Sequence, residues 1–448
     1  MTRFDVEAFV DRTRIGPVQW AVLVLAIFVC FVDGFDIYVV GKIAPAIAAS
    51  FHRPVAAMTG LMVWQQVGLG VGAFIVSPLA DRLGRRTMLV AACATFGLLT
   101  LAGVFAQSLA QLTVLRALGG LAMSAGMPMA LAMISEVTPR HRRGTFVAIG
   151  MAGFSAGSAA SGAVAAWLLD LYGWRSGFWI GGLVPLACVP LILLLVPESL
   201  KFRAERDPAD PRIARTVRRL APFEPLTGEE LFVLGSGPAE GRKAKLSDVI
   251  AEGRAPMTAI LFGACALSMM NIALMAAWLP SFFLQMAGVP IQRFAVVALI
   301  AYAGGITGTL VVGALMDRLN AALVTATFAA ATALSLAALA WVPFASAGFI
   351  PLALVWSFFQ TGGQGALNTY VTGAYPPRMR TTALGWAGGL GRLGGALAPI
   401  AGGIALAQHA SLKLTLGLAA LLPLMVALLA LLLVRTGHRL APSSAALA

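Results

Sequence analysis

Two carboxylates stand near the middle of the first long apolar stretch, in Phe31-Val-Asp33-Gly34-Phe35-Asp36-Ile-Tyr38. An ionisable side chain at the centre of a membrane helix costs at least about 2.5–3.5 kcal/mol, and such residues mark function. Spacing i, i+3 puts both acids on one helix face, and Gly34 leaves room for a close neighbour. Burial and mutual repulsion make such a pair a natural proton carrier. A structural pair neutralised by arginine is the plainer reading. Two arginines lie inside apolar stretches, Arg116 in the fourth and Arg392 in the eleventh. A guanidinium cannot shed its proton, so each must find a carboxylate, internal or brought by a substrate. Inventory pairs Arg116 with Asp33 or Asp36 and leaves Arg392 the better substrate clamp. Which arginine does which stays open.

A second set of candidates is polar but uncharged. Gln360, Gln364 and Asn368 recur every four residues in the tenth stretch, in one row with Trp356 and beside Thr369 and Tyr370. The seventh stretch adds Asn271 and Trp278. Amides and rings suit an aromatic ligand that also carries hydroxyl groups, with Tyr38 and Trp278 as candidate ring contacts. Amides bridging neighbouring helices would look the same. Gly389-x-Gly391-x-x-Gly394 fits a dinucleotide fingerprint, but no strand precedes it. Gly153-Phe-Ser155-Ala-Gly157 fits a nucleophile elbow inside an apolar stretch with no triad partner. Both read as small residues for close helix packing. His52, His141, His409 and His438 form no constellation, so no metal site, cofactor or enzyme is expected.

The elements that must position these residues follow from composition. Of 448 residues 59% are hydrophobic and only 11% charged, against roughly 25% charged in soluble domains. Mean hydropathy is +0.85. A soluble fold cannot hide that much apolar surface, and disorder, collagen and disulfide scaffolds are excluded with it. Cys30, Cys93, Cys188 and Cys265 each lie alone in an apolar run and read as buried thiols. The charged N-terminus does not look like a cleaved signal peptide.

A span needs about 20 apolar residues, and twelve candidates follow: roughly 18–48, 55–79, 87–107, 109–136, 144–169, 176–197, 256–287, 291–316, 321–342, 346–373, 382–408 and 412–434. Residues 198–254 carry 11 Lys/Arg and 10 Asp/Glu and contain no recognisable domain. The reading is an all-α integral membrane protein of twelve transmembrane helices in two six-helix halves: 1–197, a cytoplasmic linker 198–254, and 255–448 with a short cytoplasmic tail. The net charge of +13 is better assigned to loops that orient the chain in the bilayer than to nucleic acid. With the N-terminus inside, 25 of the 32 Lys/Arg fall on inner segments and only Lys42, Arg53, Arg175, Arg293 and Lys413 on outer ones. Both termini are therefore expected in the cytoplasm. The loop Ser77-Pro-Leu-Ala-Asp81-Arg82-Leu-Gly84-Arg85-Arg86 recurs, decayed, as Gly313-Ala-Leu-Met-Asp317-Arg318-Leu-Asn320. Repeated halves put a transporter's substrate site at the midplane between them.

The first of these loops resembles the signature G-x-x-x-D-R-x-G-R-R of the major facilitator superfamily, with Ser77 in the first glycine position. Asp81 can cap a neighbouring helix N-terminus, and Arg85 and Arg86 can pair with acids elsewhere. Glu136-Val-Thr-Pro139-Arg-His-Arg-Arg143-Gly144 and Pro197-Glu198-Ser199 resemble further segments of its sugar-porter and organic-ion members. Glu136 reads as a gate salt-bridge partner, so the gating set is Asp81, Arg82, Gly84, Arg85, Arg86, Glu136, Arg143, Asp317 and Arg318. A narrower likeness rests on Asp33-Gly-Phe-Asp36, Arg116-x-Leu-x-Gly119 with Gly126-x-Pro128, Gly363-Gln364-Gly-x-Leu367-Asn368, Tyr375-Pro376, Arg380, Gly385-Trp386 and Gly391-Arg392-Leu-Gly394. Together these resemble the aromatic acid:proton symporter family of that superfamily over essentially the whole chain.

The resemblance implies the major facilitator fold and uptake of a benzoate- or hydroxybenzoate-type anion, driven by protons across a bacterial inner membrane, in aromatic-acid catabolism. It adds Trp386 to the substrate contacts and implies a monomer with no partner beyond substrate, protons and lipid. Uptake of another organic acid such as nicotinate or a dicarboxylate is the nearest alternative. Proton-coupled efflux is less well matched, because the fifth span lacks the proline that such antiporters carry. A nutrient receptor signalling through 198–254 is a third reading.

Overall fold

The computed structural model of the chain describes residues 2–226, 228, 230–234, 246–316 and 318–437. They form two compact units, residues 1–53 with 60–239, and residues 54–59 with 240–448.

In the first unit the spans are helices Pro17–Ser50, Met58–Leu83 from Gly60 onward, Arg85–Val104, Leu109–Met123 continued by Gly126–Val137, Arg140–Ala163, and Arg175–Leu195. Span 4 breaks at Ser124-Ala125 because Pro128 has no N–H to donate back to the preceding turn and is tolerated only where a helix begins. Span 5 passes through a π-helical turn, Val164–Leu168. Spans 1 and 5 touch through glycine on both sides: Gly34 faces the backbone of Phe154, and Gly157 faces that of Phe31. A Cβ at either position would collide with backbone, so the nucleophile-elbow look-alike is a packing seam. The core below joins spans 1, 3, 4, 5 and 6 through Leu23, Leu89, Met133, Phe146 and Ile192.

The stretch after span 6, in which the sequence offered no domain, builds a small cap on this unit. Strand Thr2–Asp5 pairs in parallel with Glu230–Val233. Helices Val6–Arg12, Leu200–Arg206 and Pro211–Leu220 close over Phe9, Leu200, Ile213, Val217 and Phe232. Apolar residues at helical spacing, hidden in the overall polarity of the stretch, supply this core.

The second unit contains Ala255–Ala287, Ile291–Met316, Ala321–Leu339, Phe349–Ala374, Pro377–Ala407 and Leu412–Gly437. Among the described residues eleven helices are long and apolar enough to cross a membrane. Phe349–Ala374 is equally long at 26 residues, but its row of amides and glycines lowers its hydropathy. One sequence expectation is corrected. Lys42, counted on an outer segment, lies inside span 1, because the helix runs on to Ser50 and buries the lysine.

Candidate functional site

In the first unit, span 1 presents Asp36 to span 4. Arg116 Nη1 and Nη2 donate to Asp36 Oδ1 and Oδ2 at 2.5 and 2.7 Å. Gln65 Nε2 donates to Asp36 Oδ2 at 2.8 Å. Both charged side chains are almost fully buried, and the guanidinium lies 5.5 Å from the Phe178 ring centroid. Two parallel bonds plus an amide leave this carboxylate nearly saturated. Asp33, one turn earlier, borders a separate cavity of about 20 Å³ lined by Val29, Cys93, Phe96, Met123 and Pro185. That is room for one water among apolar walls. Tyr38 packs edge-on to Phe154.

Sequence reasoning counted Lys42 with the outer segments although the expected span 18–48 contains it, and gave it no place in the site. Its Nζ donates to the Ser158 carbonyl at 2.9 Å and to Ser161 Oγ at 2.7 Å, and lies 6.0 Å from the Tyr38 ring. A single lysine in a long apolar run barely lowers its hydropathy, so the only available signal was the unbroken length of the helix.

At one end of the same unit the signature loop is wired to two acids. Arg85 pairs with Glu136 and donates to Ser199 Oγ at 3.0 Å. The Arg86 guanidinium reaches the Leu193 carbonyl. The Arg86 and Ser199 amides donate to Glu198 Oε1 at 2.9 and 3.0 Å. Glu198 thus occupies the N-terminus of span 3, where the helix dipole favours an anion. Its segment Pro197-Glu198-Ser199 stands out in the sequence, but nothing there marks Glu198 as a partner of this loop. Gly84 starts this helix at φ +96°, ψ 152°, and a Cβ there would sit 2.5 Å from Glu198 Oε2. Arg82 is exposed and lends its carbonyl to Arg206 at 3.5 Å. Arg143 is half-buried, with no ion pair among the described residues. Arg318 is exposed. Asp317 lies outside the described residues, as does the side chain of Asp81.

In the second unit the amide row of span 10 meets span 7. Asn271 Nδ2 donates to Gln360 Oε1 at 2.8 Å, Ser268 Oγ to Gln364 Oε1 at 2.6 Å, and Gln364 Nε2 to Asn368 Oδ1 at 3.1 Å. Two buried atoms in this neighbourhood have no hydrogen-bond partner among the described residues, the acceptor Asn271 Oδ1 and the donor Trp356 Nε1. Trp278 does not join the row. It is wholly buried, donates its indole N–H to the Pro399 carbonyl at 3.0 Å and stacks on Phe282. Trp386 is exposed. Arg392 is the midpoint of the helix Pro377–Ala407. It is exposed and makes no ion pair among the described residues. Gly394 of the dinucleotide look-alike packs on the backbone of Ala266 in span 7.

The profile of the Major Facilitator Superfamily matches residues 26–399. The chain is similar to a gallate transporter of Pseudomonas putida, 34% identical over 445 residues covering 97% of this chain and 95% of that one. It is similar to the 4-hydroxybenzoate transporter PcaK of Pseudomonas aeruginosa, 30% identical with 88% of each chain covered. In fold it is similar to a solved bacterial homolog of the human lysosomal transporter Spinster. The TM-score there is 0.70 at 16% identity, over 95% of this chain and 99% of that one.

Proposed function

The chain belongs to the Major Facilitator Superfamily, among its transporters of aromatic acids, and from that premise we propose that it takes up a benzoate- or hydroxybenzoate-type anion together with protons. Uptake proceeds by alternating access across the inner membrane, with both termini cytoplasmic, the side on which Lys and Arg are concentrated.

Arg392 carries this reading. An exposed guanidinium halfway along a membrane helix needs water or an anion beside it. Arg116 cannot serve as freely, because Asp36 already takes both prongs of its fork. A substrate carboxylate offers Arg392 the two parallel acceptors that a guanidinium matches best. In the same unit the acceptor of Asn271 and the donor of Trp356, which have no partner among the described residues, suit a phenolic hydroxyl, which both donates and accepts. That favours ring-hydroxylated acids over plain benzoate.

The test is a binding titration with an aromatic acid and its uncharged amide. Wild type should strongly prefer the acid. Losing a desolvated charged contact costs about 2–5 kcal/mol, roughly 30- to several-thousand-fold in affinity. Arg392→Ala should therefore lose most of the preference, and Arg392→Lys should bind weakly, since lysine keeps the charge but loses the fork. If a folded Arg392→Ala protein discriminates as well as wild type, the clamp is elsewhere.

A further inference from the structure

The small cap presents a surface that transport of an aromatic acid does not use. Residues 211–223, Pro-Arg-Ile-Ala-Arg-Thr-Val-Arg-Arg-Leu-Ala-Pro-Phe, contain four arginines and no acid. In the helix Pro211–Leu220, Ile213, Thr216, Val217 and Leu220 are buried in the cap. Arg212, Arg215, Arg218 and Arg219 are all exposed on the opposite side. The acids nearest in sequence are engaged elsewhere. Asp210 caps the helix and lies 3.9 Å from Arg203, and Glu224 pairs with Arg12. None of the four arginines makes an ion pair among the described residues.

Two further observations say what lies opposite this face. Arg219 Nη2 donates to the carbonyl of Leu194 at 3.2 Å, which holds the helix against the last turn of span 6. That turn carries Leu193, Leu194 and Leu195 in exposed positions, the apolar surface a span turns toward lipid. The basic helix is therefore held at the level where the hydrocarbon ends. Just beyond it, Phe223 is 97% exposed. A basic helix face next to an exposed aromatic ring at this depth is the composition of an interfacial membrane contact.

We propose that Arg212, Arg215, Arg218 and Arg219, with Phe223 as an apolar anchor, form a docking surface for the anionic headgroups of the surrounding bilayer. The arginines supply attraction to phosphate oxygens and Phe223 enters the acyl boundary. Because Arg219 ties the helix to span 6 and the helix carries part of the cap core, the lipid contact holds the cap down on the membrane surface.

The experiment uses the full chain in nanodiscs of phosphatidylcholine, with or without phosphatidylglycerol. The native cysteines are buried, so Phe223→Cys can be labelled with a polarity-sensitive fluorophore. Emission should shift to the blue in anionic discs and revert in high salt, where surface attraction is screened. Replacing the four arginines by glutamine should abolish the shift, whereas replacing them by lysine should retain it. Each basic residue at an anionic surface is worth about fivefold in partitioning, so the fraction docked should fall by well over tenfold in the glutamine variant. Equal emission in neutral and anionic discs overturns the proposal even if the glutamine variant does not insert, and so does a shift that survives in it.

Discussion

Asp36 and Arg116 form a pair whose value is easily misread. Bringing two charges out of water costs several kcal/mol per ion, and their mutual attraction largely repays that cost, so the pair adds little net stability. Breaking it is another matter. Asp36→Asn or Arg116→Gln alone leaves one buried charge uncompensated and should cost about 3–5 kcal/mol. The double variant leaves two neutral amides side by side and should recover much of that loss. Thermal unfolding in detergent checks this; a double variant as unstable as the sum of the singles would mean that the two residues are not coupled. A structural pair predicts only the stability pattern. A functional lock also predicts that the stable double variant fails to transport.

At the scale of elements, the junction of spans 2 and 3 is organised around Gly84. Its backbone, at φ +96° and ψ 152°, lies in a region essentially reserved for glycine. The side of Gly84 that lacks a Cβ is filled by the carboxylate of Glu198, which caps span 3 from the far end of span 6. Gly84→Ala should cost about 1–3 kcal/mol from backbone strain alone, with more from displacing Glu198. We expect lower thermal stability and slower turnover, while affinity for the aromatic acid stays within about twofold because the change of less than 0.5 kcal/mol that this allows is all a remote site should feel. An affinity loss as large as that of Arg392→Ala would instead place this loop at the binding site.

For the whole molecule the decisive test is of the proposed coupling of uptake to protons. An acid-outside pH gradient should drive accumulation of labelled 4-hydroxybenzoate in proteoliposomes, and a protonophore should collapse it. Asp33→Asn and Asp36→Asn are expected to keep some exchange of internal for external substrate while losing uphill uptake, because exchange needs no net proton movement. Undiminished uphill uptake in both variants would remove these acids from the mechanism. The two acids need not act alike. Asp36 is held by Arg116 and Gln65, so protonating it would release an arginine, whereas Asp33 borders a cavity with room for a water.

Membrane class, the long apolar helices and the glycines that let helices pack closely were legible in the chain, because the bilayer and close packing impose them locally. About 20 apolar residues make a span whatever surrounds them, and a loop such as Asp81–Arg86 needs its turn residue wherever it occurs. Partner choice was not legible. Asp33 and Asp36 share one face at one helical spacing, and only the approach of span 4 decided that Arg116 takes Asp36. Trp278 has the composition of a ligand contact, and only the packing of its helix against Pro399 made it core. Lys42 was misplaced because a lysine near a span end looks the same whether it snorkels to water or turns inward to Ser158 and Ser161. The cap went unseen because its strands are four residues each and pair across more than 220 positions. Such contacts depend on where distant segments are brought together. That is a property of the assembled fold and of no local stretch of sequence.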